Sequence, residues 1–492
     1  MTAETKSTAG AGGGPGPTPV DGGSPPAPAL GGTLFVLMIG VFVTVLDFFI
    51  VNVAIPSIQT DLHAGASAIQ FVVAGYAIAY AGGLVIGGRL GDIFGRRRLY
   101  AVGIVLFTLA SLACGLAPTA GALVAARVVQ GLAAAVLAPQ VLSTVGATMT
   151  GEAKARGFTL YGVTMGLASV FGQLIGGLLI QGDVFGLGWR ACFLINIPIG
   201  ALALALIPRF MPDSRSPGKP TLDIGGMLLF SAALIAVVLP LIEGREQGWP
   251  LWAWASLVGA VVLFAAFAAY ERSIAARQGS PLLDPGLFRE RAFTAGLLAQ
   301  LVFYFGQASF FLVFALYVQE GRHYDALHAG LIFIALGGGY MVTSLTARFV
   351  AARIGRQVIA LGAVLRIVGM AGLIAAVAHV GTTGSIWWLV PALVIDGAGQ
   401  GLAVAPLAST VLSRITPHYA GAASGVLSTG AWAGNAFGVA VIGVIFYGRL
   451  AQTGPADPFG HAFSGSLVYI IAVAAALAVL VQLLPAKPAA AK

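Results

Sequence analysis

One carboxylate of this chain lies where a charged group is costly. Asp47 falls within FVTVLDFFIVNVAIP, residues 42–56, a stretch that is otherwise almost wholly apolar. A charged side chain at the centre of a bilayer costs at least about 2.5 to 3.5 kcal/mol, so it should face the interior of a helix bundle, with a partner or water. Burial favours the neutral form of a carboxyl, whereas a nearby cation favours the charged form. Asp47 is therefore a candidate for binding and releasing a proton.

Arg127 is the candidate partner of Asp47. At about 1.5 Å per helical residue, Asp47 lies roughly 21 Å from the start of its apolar segment at residue 33. Arg127 lies roughly 9 Å from the start of a segment at residue 121, which enters from the opposite side of a core about 30 Å thick. The two side chains are thus expected at nearly the same depth. Two interpretations stay open, a static salt bridge between two helices and a proton or substrate switch.

A second pair of intramembrane charges, Arg366 and Asp396, is also expected near the middle of the membrane. Each lies about 15 to 17 Å from the start of its segment. We interpret them as a structural pair, with a part in a cavity wall as the alternative. Further polar or aromatic candidates for lining a cavity, each of which could instead join helices by a hydrogen bond, are Gln140, Gln173, Tyr304, Gln307, Trp432 and Asn435.

The elements that must position these side chains are transmembrane helices. Hydrophobic residues make up 58% of the chain and charged residues 9%, whereas a soluble domain is about 25% charged. A bilayer core needs about 20 apolar residues of helix, and on that criterion the sequence predicts an all-α polytopic membrane protein with about fourteen spans. Their predicted limits are 33–56, 68–90, 98–117, 121–143, 157–181, 190–209, 222–243, 251–272, 293–318, 326–350, 355–379, 386–412, 421–447 and 463–485.

Basic residues predict how these spans are oriented. With a cytosolic N-terminus, twenty of the 26 Lys and Arg fall on the cytosolic side, four fall in loops on the other side and two lie within spans. Cytosolic loops of membrane proteins carry this excess. We therefore expect a multi-pass protein of the bacterial cytoplasmic membrane with both termini in the cytoplasm. The net charge of +8 then faces anionic lipid, so we expect no nucleic-acid partner.

Internal repetition divides the chain. The segment ARFVAARIGRQVI, from residue 347, resembles the loop segment GGRLGDIFGRRRL, and its Gly355 and Arg356 follow Gly95 and Arg96 by 260 residues. The same offset maps Asp47 onto Gln307, so the acid occurs in one half alone. Transporters built of such halves rock them around a site near the membrane midplane. The predicted organisation is a disordered cytosolic tail (1–32), a six-helix half (33–209), an inserted pair of spans 7 and 8 with its loops (210–292), a second six-helix half (293–485) and a short cytosolic tail (486–492).

The first copy of the repeated loop carries the strongest motif. Its glycines permit a tight turn and close helix contact, and its Asp can pair with Arg or cap a helix. An alternative interpretation is that the arginines only orient the protein in the membrane. That interpretation explains the arginines but not the fixed spacing of the Gly and Asp residues. We interpret the motif as a gating loop, formed by Gly88, Asp92, Gly95, Arg96 and Arg97.

This loop resembles that of the major facilitator superfamily, G-x-L-x-D-x-x-G-R-R/K. Other stretches resemble the superfamily's drug:H⁺ antiporters with fourteen spans: LDFFIVNVAIPSI in span 1, RVVQGLAAAVLAP in span 4, WRACFLINIPIG at the start of span 6 and LDIGG at the start of span 7. The resemblance covers nearly everything after residue 32. The chain departs from it at Phe49, where the family has Thr, and at Gln173, where the family has Pro and where we therefore expect a weaker bend.

The resemblance implies the superfamily's fold, two six-helix halves with an inserted helix pair, and proton-coupled efflux of amphipathic drugs or toxic compounds by alternating access. It places Asp47 and Arg127 on motif positions, which favours proton coupling by this pair. The expected partners are a small amphipathic substrate, protons and the lipid bilayer, with the chain acting as a monomer. Alternatives are export of an endogenous metabolite by the same fold, an intramembrane enzyme or lipid flippase, and, less favoured, a channel.

The sequence contains none of the enzyme motifs that would favour a different function. The six His form no H-E-x-x-H, and the sequence contains neither a G-x-S-x-G elbow nor a G-x-x-x-x-G-K-[ST] loop for ATP. The two Cys, Cys114 and Cys192, lie in apolar runs without metal-ligand spacing. We expect no enzymatic activity, no cofactor and no metal, so transport would draw on a gradient.

Overall fold

The fold is built from helices that cross a membrane. The computed structural model describes residues 27–214, 223–277, 281, 283, 285–381, 384–412, 420–452 and 457–484, and this part of the chain contains no β-strand. Fourteen of its helical segments are long and apolar enough to span a bilayer, which confirms the predicted count. Their helices are Ala27–Leu62, Ala66–Phe94, Arg96–Gly115, Ala120–Thr148, Gly151–Gln181, Asn196–Phe210, Ile224–Glu246, Leu251–Ala276, Arg291–Leu316, Ala326–Ile354, Gln357–Val380, Val390–Leu412, Ala420–Leu450 and Pro458–Val481, here called spans 1 to 14.

The boundaries differ from the predicted ones mainly by extending beyond the apolar core. Span 1 begins at Ala27 rather than at residue 33, and span 5 begins at Gly151 rather than at residue 157. Helices continue past the hydrocarbon because their backbone groups remain paired within the helix. The sixth membrane-spanning segment also includes residues before Asn196: it runs from Gly188 to Phe210 and is divided at Ile195, after the one-turn helix Ala191–Leu194. The predicted tails lie largely outside the described residues, which exclude 1–26 and 485–492.

Short polar residues fix several helix starts. An oxygen of the residue before the helix accepts a hydrogen bond from a backbone N–H of the first turn, which would otherwise lack a partner. These residues are Thr119, Asp223, Asp325 and Asp457, at the starts of spans 4, 7, 10 and 14. Glycines with positive φ end spans 2 and 10, Gly95 at +95° and Gly355 at +59°. Both copies of the repeated loop therefore make a turn that glycine tolerates.

The two halves repeat one packing scheme. In the first half, span 4 packs against spans 2 and 3, and span 1 packs against span 5. In the second half, span 12 packs against spans 10 and 11, and span 9 packs against span 13. Glycines allow the close approach: a Cβ on Gly131 would lie 2.3 Å from the Tyr76 carbonyl oxygen, and one on Gly401 would lie 2.5 Å from the Tyr340 carbonyl oxygen. Close contact of this kind replaces the hydrophobic drive that lipid does not supply.

The halves meet mainly through span 5 against span 10 and span 2 against span 13. Contacts near the ends of these spans that lie away from the two chain ends include Gly177 with Ala326 and Gln70 with Gly443. We call that side of the molecule the distal side, and the side of the chain ends the terminal side. The distal side is therefore closed across the two halves.

Spans 7 and 8 lie at the periphery. Span 7 packs against spans 2 and 13, so it touches both halves, whereas span 8 packs mainly against span 7. Only 17% of the most apolar stretch of span 8 is buried. A helix this apolar and this exposed is suited to contact with lipid rather than to a protein core.

Candidate functional site

A buried ion pair lies at the centre of the first half. The side chains of Asp47 in span 1 and Arg127 in span 4 are completely buried and directly paired. Asp47 also accepts hydrogen bonds from Gln130 Nε2 at 2.9 Å and from Asn196 Nδ2 at 2.7 Å. The carboxylate is thus held by three donors from spans 4 and 6. A buried charge needs such compensation.

The residues that bind Asp47 also contact one another and their neighbouring helices. Arg127 Nε donates to the Val72 carbonyl oxygen at 3.0 Å, and its guanidinium carbon lies 4.3 Å from the centre of the Tyr76 ring. The Ser111 hydroxyl accepts hydrogen bonds from Gln130 at 2.6 Å and from Asn196 at 2.7 Å. Spans 1, 3, 4 and 6 therefore share one polar centre.

Sequence reasoning missed three members of this network, Ser111, Gln130 and Asn196. Gln130 and Asn196 lie inside the span 4 and span 6 motifs, and Ser111 is a polar side chain in an apolar span. A search for polar residues at the depth of Asp47 would have found candidates, but it would not have given the rotation of each helix. That rotation decides which side chains meet.

The second half contains a comparable network. Arg366 Nε in span 11 lies 3.1 Å from Asp396 Oδ1 in span 12, and both side chains are buried. Gln400 Nε2 donates to Asp396 Oδ2 at 2.8 Å, and Gln307 Nε2 donates to Gln400 Oε1 at 3.2 Å. Arg366 and Asp396 are in direct contact, as their predicted depths suggest, and the network extends through two amides to span 9.

A narrow cavity lies between the halves. It has a volume of about 30 Å³, room for roughly one water molecule, whereas pockets for drug-sized ligands measure about 300 to 1,000 Å³. The halves must therefore separate before such a molecule can enter. The lining residues are Val45, Phe49, Met165, Gly166, Ser169, Tyr304, Gln307, Tyr340, Val404, Ala431, Trp432 and Asn435.

The predicted cavity residues divide into two groups. Tyr304, Gln307, Trp432 and Asn435 line the cavity, whereas Gln140, Gln173, Arg366 and Asp396 are not among its lining residues. The Nε2 of Gln140 donates to the Gly87 carbonyl oxygen at 2.7 Å and thereby joins spans 4 and 2. The Nε2 of Gln173 donates to the Phe49 carbonyl oxygen at 2.8 Å, which joins span 5 to span 1 beside the cavity.

The loop motif lies on the terminal side, between spans 2 and 3. Arg96 Nη2 lies 2.9 Å from Asp92 Oδ1, and the Asp92 side chain is 32% exposed. The Arg96 backbone N–H donates to the Ser214 carbonyl oxygen at 3.1 Å, and Arg97 donates to the Pro208 carbonyl oxygen at 3.3 Å. Gly88 packs near span 4, since a Cβ there would lie 3.5 Å from Pro139. The motif therefore ties spans 2 and 3 to the end of span 6.

The chain matches known transporters over most of its length. The family model of the Major Facilitator Superfamily matches residues 37–439 and 296–492. The chain is 34% identical over 450 residues to a probable actinorhodin transporter of Streptomyces coelicolor, covering 90% of this chain and 77% of that protein. It is 34% identical over 466 residues to a puromycin resistance protein of Streptomyces alboniger, covering 92% and 90%.

Solved structures share the fold at low identity. The xylose transporter XylE from E. coli, in a partially occluded inward-open conformation, superposes with a TM-score of 0.62 at 16% identity over 92% of this chain and 97% of that chain. A POT family transporter in complex with a thioalcohol-conjugated peptide gives 0.65 at 15% identity over 92% and 95%. On the match of the family model and of these relatives, the chain is a transporter of the Major Facilitator Superfamily and not an enzyme.

Proposed function

We propose that this protein exports amphipathic compounds from the cytoplasm in exchange for protons. The observation that carries the proposal is the completely buried Asp47–Arg127 pair at the centre of one half of a transporter. Relatives named for transport of actinorhodin and for puromycin resistance support export of antibiotic-like molecules. The distribution of Lys and Arg supports a cytoplasmic location of the terminal side in the bacterial cytoplasmic membrane.

The cavity suits a substrate with an apolar body and a few polar groups. Its described lining residues include no acidic or basic side chain, and Phe49, Tyr304, Tyr340 and Trp432 supply aromatic surface. Stacked and edge-on aromatic contacts bind flat ring systems without demanding one orientation. Because the lining comes from both halves of one chain, we propose that the monomer is the transporting unit.

Asp47 and Arg127 are the proposed proton-coupling groups. A proton on Asp47 would remove the charge that Arg127 balances. The contacts left to the guanidinium would then include its hydrogen bond to Gln130 and its packing against the face of Tyr76. Tyr76 also contacts Trp432 of the second half, with 5.8 Å between ring centres. Protonation is therefore connected by packing to the surface along which the halves meet.

Dye accumulation in cells tests this proposal. Cells that express the protein should accumulate less ethidium than cells with an empty vector, and a protonophore should remove the difference. If a protonophore has no effect while cellular ATP is kept intact, proton coupling is wrong. An inactive control should carry a change that keeps the fold, verified by the yield of purified protein.

A further inference from the structure

The two buried networks contain the same short sequence at matching places. Gln-Gly-Leu-Ala occurs at residues 130–133 in span 4 and at residues 400–403 in span 12. In each half the glutamine donates to the buried acid, Gln130 to Asp47 at 2.9 Å and Gln400 to Asp396 at 2.8 Å. The two halves differ in the group that donates a hydrogen bond to the side-chain oxygen of this glutamine.

In the first half that oxygen is taken by the cation of the same pair. Gln130 Oε1 accepts a hydrogen bond from Arg127 at 2.7 Å. Asp47, Arg127 and Gln130 thus form a closed set of contacts, and none of the three is a lining residue of the cavity. The contact of this set with the cavity wall runs through aromatic packing at Tyr76.

In the second half the oxygen is taken by a residue of the cavity wall. Gln400 Oε1 accepts from Gln307 Nε2 at 3.2 Å, and Gln307 lines the cavity. Asp396, Gln400 and Gln307 form a continuous hydrogen-bonded line from the buried acid to the place where a substrate would lie. Gln400 is 1% exposed and Asp396 is fully buried, so Gln307 is the member of this line that a substrate could touch.

We propose that Gln400 and Gln307 are a relay by which the protonation state of Asp396 sets the hydrogen-bonding group that Gln307 presents to the substrate. The relay deepens the proposed proton-coupled export and rests on it. An ionised Asp396 only accepts hydrogen bonds, so both amides point their NH₂ groups towards it and Gln307 turns its oxygen to the cavity.

A proton bound at Asp396 Oδ2 reverses this direction. The carboxyl O–H then donates to Gln400 Oε1, the Gln400 amide rotates, and its NH₂ donates to Gln307 Oε1. Gln307 consequently turns its own NH₂ group to the cavity. The proton stays on Asp396, and the relay passes on a hydrogen-bond direction only. Amide rotation of this kind needs no movement of the helices.

The charged and titratable groups near the line from Asp396 to Gln307 come from three spans. Span 11 contributes Arg366, the charged group bonded to Asp396. Spans 9 and 10 contribute Tyr304 and Tyr340 to the wall of the cavity that Gln307 also lines. The tyrosines are neutral at physiological pH, so Asp396 is the member of this group whose charge changes with proton binding.

The relay selects a class of substrate. The ionised state presents an acceptor and favours compounds that carry hydrogen-bond donors, such as amines, ammonium groups or hydroxyls. The protonated state presents the Gln307 NH₂ group, so a donor of the substrate would face another donor. This disfavours binding, because both buried donors would lack an acceptor. Proton and donor-bearing substrate therefore exclude one another, as exchange requires.

Equilibrium binding to the purified protein, without a gradient, tests the relay. The probes are ethidium, a cation with amine donors, and tetraphenylphosphonium, a cation without any hydrogen-bond donor. We expect ethidium affinity of the unchanged protein to fall about fivefold or more from about pH 8 to about pH 6, within the range usual for coupled sites. Gln307→Met, which keeps volume and removes the amide, should lose most of this dependence. Tetraphenylphosphonium cannot donate a hydrogen bond, so its affinity should depend little on pH both in the unchanged protein and in this variant.

Gln300→Met is the matched control. Gln300 lies in the same span, is buried and donates to the Leu427 carbonyl oxygen at 3.0 Å, but it is not a lining residue of the cavity. It should keep the pH dependence of ethidium binding. Gln400→Met provides a second interruption of the relay, and thermal unfolding of each variant verifies its fold.

Two results would overturn the relay. One is ethidium binding that keeps its pH dependence in folded Gln307→Met and Gln400→Met. The other is a pH dependence of tetraphenylphosphonium binding that changes as much as that of ethidium, since this would show a simple charge effect. Either result leaves gradient-driven export intact, whereas failure of export itself appears in the transport measurements.

Discussion

At the scale of single residues, the first half is built around one carboxylate with three donors. Asp47 binds Arg127, Gln130 and Asn196, and each of these side chains is itself buried. Removing one partner of a buried ion pair costs about 3 to 5 kcal/mol, because the other charge is left without compensation. A static salt bridge that braces two helices and a proton switch both need this pair. The two roles differ in how transport responds when the charge of Asp47 is removed.

Asp47→Asn keeps the shape of the side chain and removes its titration. We expect downhill exchange of substrate to survive while gradient-driven efflux fails, and we expect a lower folded yield because Arg127 is stranded. The measurement compares exchange and driven uptake in vesicles at equal protein content. The double variant Asp47→Asn with Arg127→Gln is the control for stability. Recovery of both stability and driven efflux in the double variant would show that the pair is only a brace.

The pair itself could be predicted because depth can be estimated by counting residues along an apolar helix. Its partners could not, because counting does not give the rotation of a helix about its axis. Gln140 illustrates this limit: it is polar and intramembrane, but it joins spans 2 and 4 instead of lining the cavity. The repeat identifies Gln307 as the counterpart of Asp47, whereas the bond of Gln307 to Gln400 depends on how spans 9 and 12 pack.

At the scale of helices, close contact at glycine holds the spans together. Gly131 and Gly121 both lie in span 4, but a Cβ on Gly131 would overlap the Tyr76 carbonyl oxygen, whereas a Cβ on Gly121 would meet nothing within 4 Å. Overpacking of this kind typically costs about 1 to 3 kcal/mol. Gly131 and Gly121 can therefore be compared directly, as a tightly packed and an open glycine of the same helix.

We expect Gly131→Ala to lower the thermal unfolding temperature of the protein in detergent. Gly121→Ala should leave that temperature unchanged or raise it slightly, since alanine is the better helix former by about 0.5 to 1 kcal/mol. Equal unfolding temperatures for the two variants would contradict the close packing of spans 2 and 4.

The loop motif predicts a kinetic effect. Asp92 lies on the terminal side, is bonded to Arg96 and is not a lining residue of the cavity. Asp92→Asn should therefore slow transport and roughly preserve substrate affinity, because it weakens the contact between spans 2 and 3 in the loop that we propose as a gate and changes no residue of the cavity lining. The initial transport rate and the equilibrium dissociation constant are the two measurements. A loss of affinity equal to the loss of rate would place Asp92 in the binding site.

The spans could be predicted from the sequence because a membrane requires long apolar helices. Their ends could not, because a helix can continue beyond its apolar stretch, and span 1 begins at Ala27 rather than at residue 33. The division of span 6 at Ile195 was likewise not visible in its apolar pattern.

At the scale of the molecule, the two halves repeat their packing, and each contains a buried Arg–Asp pair, but the pairs lie on different spans of the repeat. The first half holds its acid in a closed network, and the second half connects its acid to the cavity. The distal side is closed by contacts such as Gln70 with Gly443, and the cavity is too narrow for a drug-sized molecule. A drug-sized substrate could therefore enter only after the halves separate, which is the movement that repeat-based transporters use.

Transport into vesicles under an imposed pH gradient tests proton-coupled export most directly. Purified protein is reconstituted, the vesicle lumen is made acidic, and ethidium uptake is followed without ATP. We predict uptake that is driven by the gradient, accelerates as the gradient is raised, and stops when an ionophore collapses it. Uptake that proceeds equally well without a gradient, or that is unchanged when the gradient is collapsed, would contradict proton-coupled export.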